Sequence, residues 1–382
     1  MAVAAAAPVP AGSSPLSVIN GHALAMAFAT DDTTFTYYDF DGNLLKVCSV
    51  ATGAVVHSTH VDVPDILRNT QVLSDDGSTL AFTTRPSWVK VGKNYLYKNR
   101  AIYLWDVATG KVKLRIPIAD DTETKLLQLC TLRLSPNGSI IVTQQDFRLP
   151  QPDGGYLPAY QDCAWDARSG EQIWKLDESS TACFQSDPLR FSADGKSLVT
   201  VIYQSTGSGD TTENTARLVL LDARSGVVRQ TISELSTKVP MHLWKFLNIS
   251  KDGSQVAAID GMSSAYIPMQ GDYEETISIW QAATSKLMQT LKYKGYTTRK
   301  IFFLPDGKHL LGGTETSVGG PFSGNMEIWN VSTGQIDVIL DARDDFDPPE
   351  IRPNTLMALS ESGRLVADSD GAKIEIWRVP SI

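Results

Sequence analysis

Short runs in which apolar and polar residues alternate recur through the chain, each broken by a cluster of Gly, Asp, Asn, Ser or Thr. Alternation with a period of two marks a half-buried β-strand, and the breaks mark turns. One phrase, an apolar strand, a polar turn and a second strand, returns seven times. It reads KVCSVATG from 46, IYLWDVATG from 102, CAWDARSG from 163, LVLLDARSG from 218, ISIWQAATS from 277, MEIWNVSTG from 326 and IEIWRVP from 374. Aligning Cys48, Trp105, Trp165, Leu221, Trp280, Trp329 and Trp377 gives spacings of 57, 60, 56, 59, 49 and 48 residues, room for four short strands and their loops. A fixed period of this size is the signature of a repeat architecture.

A second phrase precedes each copy: LSDDGSTLAF from 73, LSPNGSIIVT from 134, FSADGKSLVT from 191, ISKDGSQVAA from 249, LPDGKHLLGG from 304 and LSESGRLVAD from 359, with a weaker form from Phe28. Asp-Gly or Asn-Gly between alternating residues supplies the positive backbone angles of a tight hairpin turn. The phrase therefore joins the first strand of each unit to its second, and Ala-Thr-Gly or Arg-Ser-Gly joins the third to the fourth. A four-stranded meander cannot bury both faces alone; seven stacked in a ring can. The prediction is an all-β fold, a seven-bladed β-propeller of four-stranded antiparallel blades, with the repeated tryptophans packed between blades.

These two phrases resemble the WD-repeat family, whose units end in Trp-Asp and carry a Ser-Pro-Asp-Gly-like turn on the inner strand. Trp105-Asp106 and Trp165-Asp166 match the dipeptide, Trp280, Trp329 and Trp377 keep only the tryptophan, and Gly-His survives only as Gly21-His22. The resemblance spans roughly residues 16 to 380 and implies the propeller fold. It does not imply one function, because this architecture hosts scaffolds and unrelated enzymes alike. The last copy stops after its third strand, so Leu16 to Asn20 is expected to donate the fourth and close the ring, which removes an exposed edge. Residues 1–15 are expected to be a disordered leader, and 16–382 one domain.

Charge narrows the choice of partner. A formal net charge of -9 and a pI near 5.1 oppose non-specific attraction to nucleic acid or anionic membranes. No apolar run is long enough to span a bilayer, and the N-terminus lacks the basic start of a secretory signal, so a cytoplasmic location is expected. The four cysteines, Cys48, Cys130, Cys163 and Cys183, form no CxxC pair, and three fall at strand positions where cysteine acts as a small apolar residue.

Candidate chemistry lies between the second and third strands of blades two to six. These connections run long, at about 85–100, 146–161, 204–215, 261–275 and 314–324. In a propeller all of them emerge on one face, where a rigid scaffold presents binding residues. The first holds Trp88, Lys90, Lys93, Tyr95, Tyr97 and Arg100 with no acid, and its alternation suggests a standing hairpin fit for an anionic or acidic partner. The second offers Phe147, Arg148, Tyr156 and Tyr160, and the third, rich in Gly, Ser and Thr, reads as flexible. The fourth offers Tyr266 and Tyr273, the fifth Phe322, and the link into blade five brings His242 and Trp244 to the same side.

No nucleophile elbow, zinc helix, phosphate loop or dinucleotide fingerprint is present, and the five histidines have no metal-ligand spacing, so neither cofactor nor metal is expected. The leading reading is a scaffold that binds a protein or peptide on the loop-rich face. The alternative is a cofactor-independent lyase, isomerase or cyclase acting on a small molecule at the channel mouth.

Overall fold

In the computed structural model each repeat folds as one antiparallel four-stranded sheet, seven in all, arranged as a β-propeller. The structure describes residues 14–68, 70–91, 94–118, 122, 126–150, 156–176, 189–206, 213–237, 242–262, 274–294, 297–316, 323–343, 356–369 and 372–382. Strand β1 (Ser17–Asn20) precedes blade one, which comprises β2 (Ala23–Phe28), β3 (Thr34–Asp39), β4 (Leu44–Ser49) and β5 (Val55–His60). Blade two is β6 (Val72–Leu73), β7 (Thr79–Thr83), β10 (Ala101–Asp106) and β11 (Lys111–Pro117), with a separate hairpin of β8 (Ser87–Val91) and β9 (Asn94–Lys98) inserted. Blade three is β12 (Leu126–Leu134), β13 (Ile140–Pro150), β14 (Tyr156–Asp166) and β15 (Gln172–Lys175). Blade four is β16 (Leu189–Phe191), β17 (Ser197–Thr206), β18 (Glu213–Asp222) and β19 (Val228–Thr237). Blade five is β20 (His242–Ile249), β21 (Gln255–Met262), β22 (Glu274–Gln281) and β23 (Lys286–Lys294). Blade six is β24 (Thr297–Phe303), β25 (His309–Thr316), β26 (Ser323–Asn330) and β27 (Ile336–Arg343). Blade seven is β28 (Leu356–Leu359), β29 (Leu365–Ser369) and β30 (Lys373–Arg378), completed by β1.

Closure follows the expected route. β1 runs antiparallel to β30, from Ser17↔Ile376 to Asn20↔Lys373, and Ser17 Oγ donates to Val50 O of blade one at 2.8 Å. Among the described residues there is no helix, so none is long and apolar enough to cross a membrane.

The apolar core is divided among the seams between blades. One cluster joins Leu24, Tyr38 and Leu45 of blade one to Leu80, Phe82 and Trp105 of blade two. Ile19, Phe35, Tyr37 and Cys48 meet Leu365, Ile374 and Ile376 at the seam of blades seven and one. The aligned residue of every repeat lies in the seam with the preceding blade: Trp165, Leu221, Trp280, Trp329 and Trp377 follow the same rule. Cys48 and Cys163 are buried and in no disulfide, as strand positions predicted.

The antiparallel order puts the first-to-second and third-to-fourth turns of every blade on one face, here the lower. The second-to-third connections and the links between blades lie on the upper. On the lower face the Ser-x-Asp-Gly turns share one hydrogen-bond scheme. The serine Oγ donates to the carboxylate or amide two residues on, at 2.5 Å for Ser74–Asp76 and 2.6 Å for Ser250–Asp252, and accepts from the amide five residues on. Asp106, Asp166 and Asp222, which follow Trp105, Trp165 and Leu221, do equivalent work in the second turn, where Asp106 accepts from Thr109 N at 2.7 Å. Such amide donors hold Asp106, Asp166 and Asp222 below the usual carboxylate range.

The upper face departs from expectation. Three of the long connections expected as loops carry paired strand at both ends: β13 pairs with β14 without a register break from Ile140↔Asp166 to Pro150↔Tyr156. The segment expected to be flexible is paired at Gln204↔Thr215, Ser205↔Asn214 and Thr206↔Glu213, with 207–212 outside the described residues. These ends pair although their composition is polar, because ladder hydrogen bonds come from the backbone, and β19 braces the other side through Asn214↔Thr237. β25 and β26 likewise run on to Thr316↔Ser323.

Candidate functional site

The basic, aromatic insertion of blade two forms the hairpin that its alternation predicted. β8 and β9 pair through Trp88↔Tyr97 and Lys90↔Tyr95, with Lys93 outside the described residues. Lys90 and Val89 are exposed, whereas Leu96 is buried and anchors the arm, and Lys98 is partly buried. Arg100 is 6% exposed and follows the paired residues of the arm in the chain. It stands directly before β10, where the chain re-enters the blade and Ile118 N donates to the Arg100 carbonyl at 2.9 Å.

Phe147 and Arg148 lie on β13, and Tyr156 and Tyr160 on β14, with Arg148 opposite Pro158 and Tyr160 opposite Asp146. They belong to one prolonged hairpin. His242 starts β20 opposite Met262, and Tyr266 and Tyr273 lie outside the described residues. Trp244 lies on the same strand. It is 2% exposed and packs edge-on against Trp280, ring centroids 6.4 Å apart, in the seam of blades four and five. A β-bulge between Lys245 and Asn248 shifts the alternation, so Trp244 shares a face with Leu247 and Ile249.

Blade one has only a short turn between its middle strands, and there the upper face opens into a groove of about 510 Å³ lined by Tyr38, Phe40, His60, Asp62, Pro64 and Ile66. Arg68 stacks over Phe40 at 5.0 Å and lies 3.2 Å from His22 Nε2, while His22 Nδ1 faces Asp41 at 3.5 Å. Burial pushes the Tyr38 phenol up to about 12, so it stays protonated and donates to Asn43.

On their innermost strands blades three and four carry Arg133 and Arg190 at the position where blades one, two, six and seven place Ala27, Val72, Phe302 and Ala358 in the seams between blades. Lys300 of β24 joins them, and Asp75, at the lower turn of blade two, feels Arg190 directly. Burial pushes the Lys300 ammonium well below its ordinary value, and the charges of Arg190 and Arg133 push it further in the same direction. The signal was present in the sequence as a cation interrupting an apolar inner strand.

Among the described residues no three His, Cys, Asp or Glu side chains gather in a way that could hold a metal ion. No protein-family model matches the chain, and no curated protein sequence matches it. The resemblance to WD repeats rests on the quoted motifs, and the propeller architecture on the seven sheets themselves.

Proposed function

We propose that this chain is an interaction module that docks a protein or peptide partner on its upper face, with an acidic segment of that partner against the β8–β9 arm. The observation that carries this reading is the one-sided crown. The chain between the middle strands of blades two to six is long, as an inserted hairpin or prolonged strands, while blades one and seven stay short and leave the groove beside the arm open. Rigid strands standing on a ring present side chains at little conformational cost, which favours recognition of a macromolecular surface. The exposed Lys90 and the cationic run without an acid around it supply electrostatic complementarity to an acidic segment.

The test is photo-crosslinking from two positions of the full-length chain in lysate of its source cells. A crosslinking residue replaces Val89, 40% exposed on the arm, or Val227, 60% exposed on the lower face. Discrete adducts from position 89, reduced when Lys90, Lys93 and Lys98 are changed to Ser, are expected. Adducts from position 227 alone, or from neither, refute the reading.

A further inference from the structure

We propose that blade six carries a protonation switch on the lower face: a doubly protonated His309 ties Asp306 of the first turn to Asp337 of β27, and loss of one ring proton releases Asp337. This is separate from partner docking on the upper face and does not rest on it.

Five blades hold the first-to-second turn with a serine, Ser74, Ser135, Ser192, Ser250 or Ser360, whose hydroxyl accepts from the amide five residues on. Blade six has Leu304 in that place, and five residues on it has His309, where the other blades carry Thr34, Thr79, Ile140, Ser197, Gln255 and Leu365. Of the seven repeats, only blade six sets a titratable side chain at this point. His309 is 7% exposed, its Nδ1 lies 2.6 Å from Asp306 Oδ2, and its Nε2 lies 3.2 Å from Asp337 Oδ2. The charges of the second turn are inverted as well. Blades two and four set a lysine or arginine seven residues after the aspartate of that turn, Lys113 after Asp106 and Arg229 after Asp222, and Arg229 donates to Asp222. Blade six has Asn330 and Asp337 at those two positions, with Asn330 Nδ2 donating to Asp337 at 3.2 Å, and the cation that meets Asp337 is His309.

Both ring nitrogens face carboxylate oxygens, so both must donate, and only the imidazolium has two N–H groups. A neutral ring keeps one donor and turns a lone pair towards the other carboxylate. The shorter contact, to Asp306, keeps its proton, so Nε2 gives up the other and Asp337 loses its partner. Burial pushes the Asp306 carboxyl up, but the hydrogen bond and charge of His309 and the amides of Lys308 and His309 hold it below its ordinary value. Among the described residues, Asp306 and Asp337 are the charged groups within ion-pair distance of the ring. Asn330 of β26 and, from blade five, Gln255 and Gln289 against Gly307 and Ser332 are neutral, while Lys308 and Arg364 of the lower turns are exposed and outside that distance. Histidine changes charge near neutral pH, where lysine and arginine do not. The tie between the two lower turns of blade six is therefore present when the ring is charged and lost as the pH rises.

The experiment compares the melting temperatures of the full-length chain and its Asp337→Asn variant at about pH 5.5 and about pH 8.5, on either side of the range in which histidine changes charge. At the lower pH the variant lacks the ion pair to the imidazolium, and its melting temperature is expected to fall by on the order of 1–2 °C. At the higher pH the substitution is expected to be neutral or stabilising, because an amide can donate to the Nε2 lone pair where a carboxylate repels it. The other four histidines are common to both chains and cancel in the difference. Nitrogen NMR of the histidine-labelled chain gives a reading that does not depend on stability. The His309 ring, identified by its shift in Asp337→Asn, is expected to show two protonated nitrogens at the lower pH and the Nδ1–H tautomer at the higher. An equal effect of Asp337→Asn at the two pH values, or an Nε2–H tautomer at the higher pH, overturns the proposal.

Discussion

On the lower face Ser74, Ser135, Ser192, Ser250 and Ser360 each accept a hydrogen bond from the amide five residues on, at 2.9 to 3.2 Å. On the upper face blade two raises a separate hairpin, blades three, four and six prolong their middle strands, and blades one and seven stop short. The two faces share a ring and a set of strands yet differ in how much one blade predicts the next. Each lower turn must perform the same task, reversing the chain tightly at the same radius, and one arrangement of Ser, Asp and Gly does so. The upper connections have no common task in folding, so their divergence is where individual recognition is built.

This contrast presumes a ring that stays closed whatever its upper face carries, and the most damaging way to break it is at the closure. Deleting residues 1–21 removes β1, its ladder to β30, the Ser17–Val50 bond and Ile19, which is 3% exposed in the seam of blades seven and one. The expected loss is on the order of 5 kcal/mol, a large fraction of a domain's total stability. Deleting 1–12 should leave the melting temperature essentially unchanged. Equal melting temperatures for the two truncations would remove β1 from any part in closure.

A sharper comparison sets one hydroxyl of each face against the other. Ser250 is fully buried and satisfies both Asp252 and the Gln255 amide, so Ser250→Ala should cost about 1–2 kcal/mol in denaturant unfolding. Thr215 makes a solvent-facing contact with Ser236 at 3.4 Å, and Thr215→Ala should stay within about 0.5 kcal/mol. Similar costs at the two positions would mean that the upper prolongations are as tightly integrated as the lower turns.

The same contrast explains what the sequence made legible. Period, blade count, strand order and the seam positions of Trp105 to Trp377 could be read because seven copies repeat one demand. The arm of blade two could be read because it alternates around a turn. Trp244 and Arg100 could not: a bulge reversed the face of one, and the other stands where an exposed hairpin gives way to a buried strand, a boundary that composition does not mark.

The smallest expected effect tests whether the lower face tolerates an exception. In the third-to-fourth turns the left-handed position is glycine in five blades, Gly53, Gly110, Gly170, Gly226 and Gly334, but Ser285 in blade five, with φ of 57°. A side chain there costs about 1–2 kcal/mol relative to glycine. Ser285 offsets it across the seam, since its Oγ donates to Thr231 O at 2.5 Å and accepts from Gln230 Nε2 at 2.8 Å, both on β19 of blade four. Each such bond contributes about 1 kcal/mol. Ser285→Gly should therefore change stability by no more than about 0.5 kcal/mol, because relief of backbone strain cancels the lost bonds. Ser285→Ala keeps the strain and loses the bonds, so it should cost about 1–2 kcal/mol. If Ser285→Gly instead stabilised the chain by more than about 1 kcal/mol, the bonds to blade four would contribute nothing, and the exception would be a defect that the ring merely tolerates.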